Sequence, residues 1–332
     1  MTRPKIAIIG AGMAGLSLAR RLSSHADVSV FEKSRGLGGR MATRRRPQGT
    51  FDHGAQYFTV RNADFHDALE GAIDRGVVQA WAVPLMKTDA DGHAHRLEDR
   101  APRFVAVPGM TALAKLMAER LQVFGDQRIT ALEGRAGEWF LTTPDTRHGP
   151  FHWVVSTAPA PQTLDLLPLS ASDRAAIASV RMNGCFTLMV RLPDASELPF
   201  CASQVEHPVI SWLAANHSKP DREPGRALVV HANNQWSDAH LEDPPEAVRD
   251  LMLEALKALF PSIAWDDAVS VDLHRWRFAN VEQPLGRPFV LDPTLKIGAC
   301  GDWCLGNRVE AAFLSGNALA ESLIAAFIEE NA

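Results

Sequence analysis

Apolar and polar positions fall into distinct blocks along this chain, and the first block is the most regular. Residues 6–9 (Ile6, Ala7, Ile8, Ile9) form an uninterrupted apolar run, the pattern of a strand buried on both faces. The run breaks at Gly10, and the next apolar residues, Met13, Leu16, Ala19 and Leu22, recur at helical spacing before a second strand over 28–31. Residues 81–100 read as a polar excursion with a hairpin signal at Asp91-Gly92. Val107-Pro108-Gly109-Met110 then opens a predicted helix carrying Leu113, Leu116, Met117 and Leu121, followed by a returning strand over 123–129 and a buried strand over 153–157. Between 162 and 284 the pattern changes to half-buried strands, over 186–192, 209–213, 227–232 and 269–276, separated by polar loops. One amphipathic helix is predicted there over 245–260, packing through Val248, Leu251, Met252, Ala255, Leu256 and Leu259. The chain closes with a strand over 295–300, Gly301-Asp302, and a long helix opened by Val309-Glu310-Ala311-Ala312 with Leu314, Ala318, Leu319 and Leu323 inward.

The spacing of glycines gives the first block a chemistry. A strand that turns sharply into a helix through Gly10, Gly12 and Gly15 aims the helix's first amides at a pyrophosphate. Gly10 permits the turn, Gly12 lets the phosphate approach, and Gly15 lets helix and strand pack. Glu32, at the end of the second strand, stands where a carboxylate accepts from both ribose hydroxyls. NAD and FAD sites share this half. The continuation Gly36-Leu37-Gly38-Gly39-Arg40 favours FAD, because paired glycines let backbone amides close on the far side of a diphosphate, and Arg40 can set its planar fork against phosphate or flavin oxygens. The terminal strand with Gly301-Asp302 supplies a third element, bringing Asp302 towards a ribityl or pyrophosphate region and a helix N-terminus towards the flavin.

Composition narrows the partners. With 332 residues, 46% hydrophobic, 22% charged and a net charge of −5, the chain has ample core and no bias towards polyanions, which argues against nucleic acid. Cys185, Cys201, Cys300 and Cys304 include no CxxC pair, and reduced thiols in a cytoplasmic protein are the simplest reading. Arg3 and Lys5 ahead of an apolar run imitate a secretory leader, but the phosphate-binding turn explains that run. No stretch reaches the roughly 18 to 20 uninterrupted apolar residues of a membrane span, so no membrane partner is expected. His93 and His95 show no carboxylate or cysteine partners at ligand spacing, and no metal is expected. No sequence signal fixes an oligomeric state. The elements predict an α/β chain: a discontinuous Rossmann-like FAD-binding domain from residues 1–75, 103–161 and 285–332, and a second, mixed-sheet α+β substrate domain from 76–102 and 162–284.

The GxGxxG turn, the glycine doublet and the terminal Gly-Asp together resemble the FAD-dependent amine oxidase superfamily over nearly the whole chain. The likeness is sharpest to its renalase branch, in a bacterial form, through Gly38-Gly39-Arg40-Met41-Ala42-Thr43-Arg44-Arg45, Asp52-His53-Gly54-Ala55-Gln56-Tyr57-Phe58, Val229-Val230-His231-Ala232, Trp276-Arg277-Phe278-Ala279 and Gly301-Asp302-Trp303. That resemblance implies oxidation of 2- or 6-dihydro isomers of NAD(P)H to NAD(P)+, with electrons passing to O2 as hydrogen peroxide. Hydride leaves an electron-rich ring directly, so the protein need only stack and orient. Amine oxidation is the rival. Many amine oxidases of the superfamily steer their substrate with two tyrosines, and this chain has one, Tyr57. A flavin-binding redox sensor without catalysis is a third reading, for which no output domain is visible.

The motifs and the resemblance together imply non-covalent FAD held by Gly10, Gly12, Met13, Ala14, Gly15, Glu32 and Lys33; by Gly38, Gly39, Arg40 and Met41; by His53, Gly54, Ala55 and Gln56; by Ile129; and by Gly301, Asp302, Val309, Glu310 and Ala311. Gln56, Tyr57, His231, Trp276 and Arg277 are the expected catalytic set. Gln56 and Tyr57 would contact flavin or the substrate carboxamide, His231 would bond the carboxamide in its neutral form, Trp276 would wall the ring, and Arg277 would meet a substrate phosphate or pair with a carboxylate. Each has a plainer alternative: a packed strand for Tyr57, a satisfied structural histidine for His53, a buried histidine for His231, a core tryptophan for Trp276, a surface arginine for Arg277. Asn216, Ser218 and Lys219 read as a solvated turn in preference to a loop touching the dinucleotide tail, and Arg44-Arg45-Arg46 as either a steering patch, with Arg44 its leading member, or a solvated edge.

Overall fold

Ile6, Ala7, Ile8 and Ile9 are all buried, and they alternate between two cores. They lie in the strand Lys5–Ile9, inside a six-stranded sheet ordered Val290–Asp292, Ile297–Ala299, Trp153–Ser156, Lys5–Ile9, Asp27–Phe31, Gln122–Phe124. All neighbours are parallel except the first pair. Parallel strands need cover on both faces. The helices Met13–Leu22 and Val309–Glu330 bury Ile6 and Ile8 on one side; the three-stranded sheet Ala131–Arg135, Glu138–Thr142, Arg147–Phe151 buries Ala7 and Ile9 on the other, through Trp139, Leu141 and Phe151. This is a computed structural model, and it describes residues 3–98 and 101–330. Positions 1–2, 99–100 and 331–332 of the expected domain segments, with the end of the excursion over 81–100, lie outside the described residues.

The second sheet has seven strands, ordered Ser270–Gln283, Arg181–Leu192, Arg226–Ala232, Ile210–Ala215, Ala202–Val205, Leu85–Thr88, Ala94–Arg96. It is antiparallel apart from the pairing of Ala202–Val205 with Leu85–Thr88. Alternation along each strand sends one set of side chains into a core with the helix Pro245–Leu259, through Val248, Met252 and Leu256. The other set faces the nucleotide-side core, as Trp212 and Ala214 do.

Several expectations need correction. The boundary at 161 falls short: the helices Ala160–Leu166 and Ala171–Ala178 bury Ala160 and Ile177 against Val154 and Trp303, so the nucleotide-side core runs on to about Val180. Val78–Ala80 pairs with Phe104–Ala106 rather than with the substrate sheet. The strand expected over 123–129 is only Gln122–Phe124, because the Gln127 amide turns back onto the Glu32 carbonyl at 2.8 Å. Leu251 is 42% exposed and off the packing face. The hairpin at Asp91-Gly92 forms, but His93 does gain acidic neighbours there, Asp89 at 3.5 Å and Asp91. The span Val309–Ile328 is long and apolar enough to cross a membrane by length and composition, yet Gly316 meets Ala14 of the first helix and Leu319, Ala320 and Leu323 are fully buried.

Candidate active site

The nucleotide half is assembled by glycines. The Gly10 amide donates to the Phe31 carbonyl at 2.8 Å with φ at +110°, a conformation that glycine adopts without strain. A methyl group on Gly15 would collide with the Gly10 carbonyl, whereas one on Gly12 would meet nothing within 4 Å. The helix Met13–Leu22 has neither a side-chain cap nor an acid in its first turn, so its leading amides are left to a ligand. The Gly38 amide donates to the Ala11 carbonyl at 2.9 Å, and a Cβ on Gly39 would stand 3.6 Å from the Gly12 Cα, so the two glycine loops lie side by side. Glu32, 6% exposed, accepts from the Ala11 and Ser34 amides at 2.9 Å each, one per oxygen, and the remaining lone pairs can take two ribose hydroxyls. An uncapped helix, a cradle bounded by glycine, and a fixed carboxylate fit the diphosphate and ribose of FAD.

Other members of the expected cofactor set have different employment. Arg40 does not offer its fork to phosphate: Nη1 and Nη2 donate to Asp302 Oδ2 and Oδ1 at 2.8 and 2.6 Å, and Nη1 also to the Ala279 carbonyl at 3.0 Å. That bidentate pair ties the glycine doublet to the terminal Gly301-Asp302 turn and to the substrate sheet. Glu310, 2% exposed, accepts from the Arg61 and Asn62 amides at 2.7 and 2.8 Å, both on Oε1, which fixes this carboxylate against the segment before the helix Ala63–Asp74. Met13, Ala14, Met41 and Ala311 are buried, Val309 and Ile129 pack partly buried at core edges, and Lys33 is exposed. The buried thiols of Cys185 and Cys304 are pushed up to about 12 by loss of solvation, which keeps them protonated and unreactive.

Register in the second sheet sets out the substrate side. Thr187 is opposite both His274 and His231, and His231 is opposite Trp212, so these four side chains form one row across four strands. The segment after the strand Gly49–Asp52 crosses this row. The Thr187 hydroxyl donates to the His53 carbonyl at 2.9 Å, Gln56 Nε2 lies 3.3 Å from His231 Nε2, and the Tyr57 ring lies 5.7 Å from Trp212 and 6.2 Å from Trp81. Trp276 Nε1 donates to the same His53 carbonyl at 3.0 Å, and its ring stacks near His53 at 5.0 Å. The structure thus brings Gln56, Tyr57, His231 and Trp276 together. Arg277 it does not: the next residue of a strand points to the opposite face, and there Arg277 is exposed and paired with Glu242.

The turn read as solvated buries Asn216 and Lys219 in the site. Lys219, 2% exposed, donates to Asp52 Oδ2 at 3.2 Å, Gln56 Oε1 at 3.1 Å and Asn216 Oδ1 at 3.2 Å. Arg222 donates to the same Asp52 oxygen through Nε and Nη2 at 3.0 and 2.7 Å. Burial alone would raise the Asp52 carboxyl, but Lys219 and Arg222, helped by the Met110 amide and the Thr43 hydroxyl, hold it at about 2. Burial pulls Lys219 down to about 8 against the attraction of Asp52. Gln56 is locked by this network, since its Nε2 donates to the Asp52 and Gly54 carbonyls while its oxygen accepts from Lys219. Its amide is therefore a fixed strut more than a free hand for substrate. Burial also depresses the histidines: His53 to about 3, with His274 and Arg44 adding to the effect, His231 to about 4 with help from Lys219, and His274 to about 4 with help from Arg44. All three are neutral at pH 7. The Lys219 and Arg222 signal was absent locally, because their carboxylate is more than 160 residues away in the chain.

The comparisons with known proteins agree with this geometry. The family model for the NAD(P)-binding Rossmann-like domain matches residues 8–70, and the model for flavin containing amine oxidoreductases matches residues 67–324. The chain is 23% identical to renalase of Mus musculus over 328 residues, covering 90% of this chain and 92% of that one. It shares its fold with the structure of a provisionally assigned protoporphyrinogen oxidase from Exiguobacterium sp. 255-15, with a TM-score of 0.80 at 14% identity over 98% of this chain and 99% of that one. Cyclohexylamine oxidase from Brevibacterium oxydans follows, with a TM-score of 0.73 at 14% identity over 97% and 99%. With glycine loops shaped for a diphosphate and a family match over most of its length, the chain belongs to the flavin-containing amine oxidoreductases and takes FAD as its cofactor.

Proposed function

We propose that this oxidoreductase is a bacterial member of the renalase branch that oxidises 2- or 6-dihydro-NAD(P) in the cytoplasm. The balance is dihydro-NAD(P) plus a proton and O2 giving NAD(P)+ and H2O2. FAD, when bound, supplies the acceptor for the hydride and the route of its electrons to O2. The observation that carries the reading is the charge of the buried network: Lys219 and Arg222 share one carboxylate, Asp52, and the site's histidines, His53, His231 and His274, are neutral. This buried network of Asp52, Lys219 and Arg222 therefore holds one surplus positive charge. An ammonium substrate would be repelled by it in a poorly screened interior, while a dihydronicotinamide, uncharged at its ring and anionic in its tail, is not. Gln56, Tyr57, Trp212 and Trp276 supply a rigid strut and flat walls to orient a ring, and no group needs to remove a proton from it.

Amine oxidation, the activity in the family's description, is the rival reading, and the single tyrosine of the chain and the surplus cation both weigh against it. The test is aerobic turnover of borohydride-reduced NAD+, with each dihydro isomer followed by chromatography and peroxide assayed in parallel. Loss of the 2- or 6-isomer with one peroxide per molecule supports the reading. Peroxide from cyclohexylamine or a diamine, with every isomer untouched, overturns it.

A further inference from the structure

The hairpin Thr43–Arg46 and Gly49–Asp52 leans over the edge strand Ser270–Gln283 of the substrate sheet and places a cation at the end of the row described above. Arg44 is partly buried there, and its Nη2 meets His274 Nδ1 at 3.1 Å. Among the described residues no carboxylate is salt-bridged to Arg44, although its neighbour Arg46 pairs with Asp272 at 3.4 Å. Since His274 is neutral, its Nδ1 accepts from Arg44 and its Nε2 carries the hydrogen, so the pair still presents N–H donors from both side chains. A guanidinium has five N–H donors, and among the described residues one is used here. The His274 ring in turn lies 4.4 Å from Trp276 and 4.8 Å from His53, so the pair is continuous with the aromatic wall of the site. Two strand spacings separate His231 from His274, about 10 Å, which suits a ribose bridging from ring to phosphate.

We propose that Arg44, seated on His274 at the edge of the substrate sheet, is an anion subsite that binds the pyrophosphate of the dinucleotide substrate. This rests on the dihydro-NAD(P) reading and gives it a specificity determinant. The fork matches a phosphate's paired oxygens, the neutral imidazole adds no charge of its own, Asp272 attracts Arg44 only from a distance while it is ion-paired to Arg46, and the edge position keeps the tail of the substrate near solvent. Exposed Arg45 beside it adds to the positive potential at the mouth.

The experiment compares the FAD-loaded protein with its Arg44→Gln and Arg44→Lys variants in two assays. In the first, ADP-ribose, which has the pyrophosphate but no nicotinamide, is titrated by calorimetry at low and high salt. Arg44→Gln should weaken it about 10- to 100-fold and flatten its salt dependence, with Arg44→Lys between. In the second, dihydro-NAD isomers are compared with the dihydro isomers of N-methylnicotinamide, which have no tail. KM for the dinucleotide should rise by a similar factor in Arg44→Gln with kcat retained, while the tailless substrate is handled equally by both proteins. Equal ADP-ribose binding by wild type and Arg44→Gln overturns the subsite. If ADP-ribose binding falls in the variant but wild type oxidises no dihydronicotinamide, the subsite stands and the proposed reaction fails.

Discussion

At the scale of single residues, the site depends on one carboxylate between two buried cations. Asp52→Asn would leave Lys219 and Arg222 without a counter-charge, and the expected loss of stability is about 3 to 5 kcal/mol, read by urea unfolding of the holoprotein. A change below about 1 kcal/mol would mean that the network is not closed as described. The pH response has a definite sign. His53, His231 and His274 are neutral in the fold but take up protons in the unfolded chain below about 6.5, so stability falls as pH drops from 6.5 towards their folded values of about 3 to 4. Asp52 adds a further loss as pH falls through the carboxylate range towards about 2. Lys219 acts at the other end: with a folded pKa of about 8 against 10.5 unfolded, the unfolded chain holds the extra proton in that window and stability rises across it. Urea titrations at pH 8 and pH 10 should show that rise in wild type and its absence in Lys219→Met. Little of this was legible in the sequence. Lys219 follows Asn216 and Ser218 and precedes Pro220-Asp221, a composition that local reading assigns to water. Only tertiary pairing with Asp52 makes burial of that lysine possible.

At the scale of elements, the glycine turns were legible because their constraints act within a few residues. Gly10, Gly12 and Gly15 show their roles as soon as strand and helix are recognised, and the geometry separates them. Gly15→Ala would force the helix off the Gly10 carbonyl, so both thermal stability and FAD content should fall. Gly12→Ala meets no protein atom, so apoprotein stability should stay within about 0.5 kcal/mol of wild type while FAD affinity drops, a split measured by apoprotein unfolding alongside flavin titration. Equal destabilisation by both would remove the case that Gly12 faces the diphosphate. Most strands of both sheets were legible from their periodicity, but Ala202–Val205 and Val290–Asp292 were not, and neither were the partners of any. Arg40, whose setting in sequence suits phosphate or flavin oxygens, is held by Asp302, 262 positions later, and Arg277, expected in the site against a phosphate or a carboxylate, is turned by strand parity to Glu242. Parity of a strand can be read only once one of its residues is fixed to a face. The short strands over 131–151 carry polar and apolar residues without clean alternation, and they escaped notice for that reason.

At the scale of the whole molecule, two sheets built on different principles meet along one line. The parallel sheet, covered on both faces, aims its glycine loops and Glu32 at a dinucleotide, and the mixed sheet lays the row His274, Thr187, His231, Trp212 under the segment from His53 to Tyr57. Arg40 and Asp302 fasten the halves together where a flavin would lie between them. The discontinuous order of the chain was visible from the start, since strands of the dinucleotide type recur at both ends of the sequence, yet the surplus charge of the site emerges only when the halves are assembled. That charge is the basis for preferring a neutral ring with an anionic tail over an amine. Anaerobic mixing of the FAD-loaded protein with borohydride-reduced NAD+, purified 4-dihydro NADH and cyclohexylamine, with flavin absorbance followed near about 450 nm, tests this most directly. Rapid bleaching with the isomer mixture alone is the predicted result, and rapid bleaching with the amine while the mixture leaves the flavin oxidised would contradict it.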